Sequence, residues 1–76
     1  MTNVLVVYDR SAGRLLKEQE FEHRRDAFEA RFEAEKRYRD HVNVEVVVLS
    51  AKSRAALLQT HARYFLSLDE LAARMA

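Results

Sequence analysis

The densest chemistry in the chain is the run Thr60-His61-Ala62-Arg63-Tyr64-Phe65, where an imidazole and a phenol stand three residues apart. Such a pair can supply the acid and base of a proton transfer. Position argues for a humbler role. His61 falls between Leu58 and Phe65 on a helical face that meets the core, which predicts a hydrogen-bonded, half-buried histidine with Tyr64 at the rim. Tyr8 and Asp9 close an early strand, where the Asp9 carboxylate is suited to capping a turn. The histidines His23, His41 and His61 show no metal-ligand spacing, and there is no cysteine to join them. A single glycine cannot build a phosphate-cradling loop, and no serine sits in a nucleophile elbow. These signs predict a protein without catalytic activity or cofactor.

Two residue sets suit binding instead. Arg24, Arg25, Arg31 and Arg39 flank Phe28 and Phe32 in one charged helical stretch, a combination able to stack on bases and touch phosphates of RNA or DNA. The plainer expectation is that Arg31 and Glu35 pair at i,i+4 across a seam while their aliphatic parts pack. Glu22, Asp26, Glu29 and Glu33 form an acidic stripe on the other side, so the helix is polarised although the chain carries a formal net charge of only +1.

The elements that must position these groups follow from changes of hydrophobic period. Asn3 to Tyr8 is β-branched and apolar on both alternating sets, which reads as an interior strand. Asp9 to Gly13 is a turn cluster, and the more polar Leu15 to Phe21 suits a second strand at the sheet margin. From His23 to Arg39 neither proline nor glycine interrupts a run rich in alanine, glutamate and arginine, which predicts a long helix. Val44 to Leu49 is a third strand. Ser50 or Ser53 then caps a second helix, with Ala51, Leu58, Ala62 and Phe65 as its inner face. Ser67 to Glu70 matches a capping box, and Leu68, Leu71, Ala72 and Met75 recur at helical spacing, predicting a short C-terminal helix.

The order is therefore ββαβα plus a helical tail, an α+β fold in a single domain over residues 1–76. A right-handed crossover through the first helix makes the third strand parallel to the second. Placing it beside the first gives an antiparallel sheet of spatial order 2-1-3, with the two main helices expected on one face. At 76 residues, a lone core buries only about 60% of the surface its unfolded chain exposes. No disulfide is available to help, and 49% hydrophobic content argues against disorder. Val4 to Val7 is too short for a signal-peptide core or a membrane span, so a cytoplasmic protein is expected.

In that topology the third strand is an apolar edge, which invites pairing with another chain. Val44, Val46 and Val48 are the expected contacts of a homodimer, with Glu45 as a candidate gatekeeper. Leu68, Leu71 and Met75 are the expected contacts with a protein partner, or else they close the core. The functional expectation is a small homodimeric adaptor, regulatory or assembly module; the alternative is a nucleic-acid binder using the arginine and phenylalanine surface.

Overall fold

A computed structural model describes residues 1–65. Its elements are β1 (Thr2–Asp9), β2 (Arg14–Phe21), α1 (Arg24–Arg37), β3 (Val44–Ala51), α2 (Arg54–Thr60) and α3 (Ala62–Phe65). The strands form one antiparallel sheet of order β2-β1-β3. The expected tail helix from Ser67 to Met75 lies outside the described residues, as do Leu68, Leu71 and Met75.

β1 is central because it is apolar on both faces. Val4, Leu5, Val6 and Val7 are each completely buried. Val4 and Val6 pack with Leu49, Leu57 and Tyr64 on one face, while Leu5 and Val7 pack with Ala34 on the other. Consecutive buried residues on a strand need cover from both sides, and this corrects the expectation that both main helices share a face. α1 covers Leu5 and Val7. The chain then returns through β3, and the short Lys52-Ser53 bend carries α2 and α3 to the opposite face.

Local chemistry sets the boundaries. The β1–β2 turn is held by the Asp9 carboxylate, whose Oδ1 accepts from the Ser11 amide at 3.0 Å, the Ser11 hydroxyl at 2.8 Å and the Ala12 amide at 3.1 Å. Those bonds hold the Asp9 pKa below its ordinary value, the Ser11 hydroxyl being the main cause. Gly13 closes the turn at φ +64°, where a side chain would be strained. Further along, β2 carries a bulge: Val7 pairs with Lys17 but Tyr8 pairs with Leu15, leaving Leu16 as the extra residue. The bulge lets Leu15 join the α2 face and Phe21 the α1 face, which strict alternation forbids.

Asn3 ties the far end of the sheet together. Its side chain, nearly buried, donates to the Phe21 and Glu22 carbonyls and accepts from the Ser50 hydroxyl at 2.8 Å, so one amide links all three strands. α1 ends two residues earlier than its composition suggests, at Arg37, with Tyr38 as its C-cap. Ser53, rather than Ser50, caps α2 by accepting from the Ala56 amide at 3.2 Å. The second helical stretch is also broken. His61 leaves helical geometry at φ −130°, splitting the run into seven residues and four.

Candidate subunit interface

Among the described residues β3 is an edge strand, and its hydrogen-bonding phase can be fixed. The Arg10 amide donates to the Asn43 carbonyl at 2.8 Å, and the β1–β3 register stays constant from there to Thr2 and Ala51. In an antiparallel ladder, directions alternate along the strand. Glu45, Val47, Leu49 and Ala51 therefore aim their backbone groups at β1, and the amides of Val46, Val48 and Ser50 point away from the sheet. The Val44 amide is held by the His41 carbonyl at 3.0 Å.

The two margins of the sheet differ in how they discourage association. β2 presents Lys17 and Glu20 and is twisted by its bulge, two common guards of an edge. β3 has no proline, lysine or register shift. Its one charged residue, Glu45, does not guard the edge as expected, because it folds over the α3 face. There its carboxylate accepts from the Tyr64 hydroxyl, and from the Arg63 guanidinium at 3.2 Å.

The sequence does not announce this cluster. Tyr64 is buried rather than at the rim, edge-on to Tyr8 at 5.3 Å between ring centroids, with the Arg63 guanidinium 4.1 Å from its ring centre. Burial, followed by the Glu45 contact, raises the pKa of its phenol. A phenol held neutral and bonded in this way is a poor general base. Leu57 and Tyr64, seven residues apart, form the inner face of α2 and α3, one register off the predicted Leu58 and Phe65 set. His61 is half-buried as expected, its ring 6.4 Å from that of Tyr64, but no side-chain hydrogen bond to it is found among the described residues. An ion pair between Arg54 and Glu18 fastens the start of α2 to β2.

On the other face of the sheet, Val44, Val46 and Val48 are half-buried and pack toward α1 with Leu5, Val7 and Ala34. Val44 and Val46 also form the apolar side of a cleft of about 350 Å³ whose other wall includes Arg31 and Glu35 of α1 and, just past the helix, Tyr38 and Arg39. Val42, 81% exposed, lines the same cleft. Arg31 and Glu35 make the expected i,i+4 bridge, at 2.7 Å.

The arginine and phenylalanine set does not form one surface. Phe28 is half-buried, with the Arg24 and Arg31 guanidinium carbons 5.3 and 5.9 Å from its ring centre. Phe32 is 68% exposed but lines a different cleft, among Asp26, Glu29 and Glu33, where carboxylates would repel a phosphate backbone. Arg25 is exposed, and Arg39 lies at the β3 cleft. Among the described residues no group of histidine and acidic side chains is arranged to hold a metal ion. No helix among them is long and apolar enough to cross a membrane.

No family model, curated protein or solved structure matches this chain, so the fold and its surfaces carry the functional argument.

Proposed function

We propose that this protein is a homodimeric interaction module, joined edge to edge through β3, that works by presenting a paired scaffold to another macromolecule rather than by catalysis. The observation that carries this reading is the contrast between the sheet's two margins: β2 is charged and bulged, whereas β3 is unbulged, valine-rich and uncapped by its own glutamate. Pairing β3 with a second copy about a two-fold axis extends the three strands to a continuous sheet of six. Each outward amide gains a partner, worth about 1 kcal/mol net per bond. The valine rows on the α1 face become continuous across the junction.

A second copy fits this margin because an isologous interface needs a surface complementary to itself, and a regular strand offers that without special sequence. The nucleic-acid alternative loses support from the separation of Phe28 and Phe32 and from the carboxylates around the latter. Light scattering over a dilution series tests the dimer. The expected result is a mass near twice the 8.9 kDa of one chain at micromolar concentration, falling on dilution. A compact monomer throughout the series overturns the proposal.

A further inference from the structure

Four residues recur along one flank of α1: Arg24, Phe28, Arg31 and Glu35, at i, i+4, i+7 and i+11. This flank looks toward the open edge of the sheet. Arg31 and Glu35 share the cleft with Val44 and Val46, and Arg24 and Arg31 both lie against Phe28. The side chains of Arg31 and Glu35 remain 42% and 48% exposed, so their bridge leaves capacity for further contacts. The opposite flank of α1 carries the carboxylates that border Phe21 near β2.

We propose that this stripe is the second half of the subunit interface, packed antiparallel against its own copy, with Arg24 facing the partner subunit's Glu35 and Phe28 facing the partner subunit's Arg31. The inference rests on the pairing of β3 edges and adds a helical seal to it. A two-fold axis normal to the extended sheet leaves both α1 helices on one face and reverses their relative direction. Reversal is what makes the stripe complementary to itself: cation meets carboxylate at both ends, and guanidinium meets aromatic ring twice in the middle.

Dimensions agree. α1 packs over β1 and β3, and neighbouring strands are about 4.8 Å apart, which sets the two helix axes roughly 10–14 Å from each other. Arginine, glutamate and phenylalanine span such a gap; alanine does not. The register agrees independently. Tyr38 and Val44 line the same cleft. The middle of the stripe lies between Glu29 and Ala30, roughly 13 Å back along the helix from Tyr38. An equal distance along β3 from Val44 is about four residues. It ends near Val47 and Val48, the middle of the strand, so one axis serves both elements.

Arg24 and Arg31 thereby acquire partners of definite chemistry, and nucleic acid is not needed to account for these two cations. The test is charge exchange in the full chain, read as the dimer dissociation constant by sedimentation, with circular dichroism reporting the fold. Arg24→Glu and Glu35→Arg are each expected to raise the constant about tenfold or more, since symmetry counts every mismatch twice. The double variant is expected to return to within about threefold of the unmodified protein, because the exchanged charges meet again. Single variants that dimerise normally overturn the helical seal while leaving the β3 pairing intact. A double variant no better than the singles overturns the Arg24–Glu35 pairing. An unmodified protein that is monomeric overturns both the seal and the strand pairing beneath it.

Discussion

Val48→Pro is expected to yield a folded monomer, whereas Val47→Pro is expected to unfold the domain. Adjacent valines on one strand differ this sharply because their amides point in opposite directions, a phase set by the Arg10 to Asn43 hydrogen bond and the unbroken register after it. Proline at 48 deletes an outward N–H and places a ring where a second strand must dock, without touching the ladder to β1. The cost to the monomer is the lost valine packing toward α1, about 1–2 kcal/mol. For the dimer, a central ladder bond disappears twice and the ring blocks close approach, so its dissociation constant rises about 100-fold or more. Proline at 47 removes a bond to β1 opposite Val6, leaving a buried carbonyl unpaired at a cost of about 1–3 kcal/mol, and also forces its ring into the ladder. A domain of this size has few kcal/mol to lose. Circular dichroism and sedimentation on the two variants separate these outcomes, and a Val48→Pro protein that still dimerises excludes the proposed pairing.

Leu57→Ala is expected to have the largest effect on folding stability, about 2–5 kcal/mol, read as a lower midpoint in urea. Leu57 is the one completely buried residue of α2, set against Val4, Val6, Leu49 and Tyr64. A helix of seven residues does not persist in water on its own, so its existence depends on that anchor. Truncation opens a cavity and loosens α2, α3 and the Tyr64–Glu45 contact that follows them. Replacing Arg54, whose ion pair with Glu18 also fastens α2, removes a partly exposed bridge worth less than about 1 kcal/mol. Equal losses from the two substitutions would show that α2 is not held by its core contact.

The sheet was legible in the sequence because its signals are local and redundant. Four consecutive apolar residues in β1, a turn around Gly13 and a long helix without breakers together leave little choice of order, and polarity separates β2 from β1. The placement of helices was less accessible. Val4 to Val7 already demanded cover on both faces, but the direction of the Lys52-Ser53 bend decides which helix supplies it. The bulge at Leu16 was hidden because alternation of polar and apolar residues looks the same on either side of one inserted residue. Tyr64 was misplaced because the count began at Ala51, which belongs to β3 and not to α2, and carrying that phase forward selected Leu58 and Phe65 instead of Leu57 and Tyr64. The role of Glu45 depended on that buried tyrosine, a contact across nineteen residues that composition does not announce.

Amide hydrogen exchange resolved along β3, measured at high and low protein concentration, tests the edge pairing most directly. Glu45, Val47 and Leu49 are expected to be protected at both concentrations, while Val46, Val48 and Ser50 are protected only when the protein is concentrated and lose that protection on dilution. Fast exchange at Val46, Val48 and Ser50 in the concentrated protein, beside slow exchange at their odd-numbered neighbours, contradicts the edge pairing.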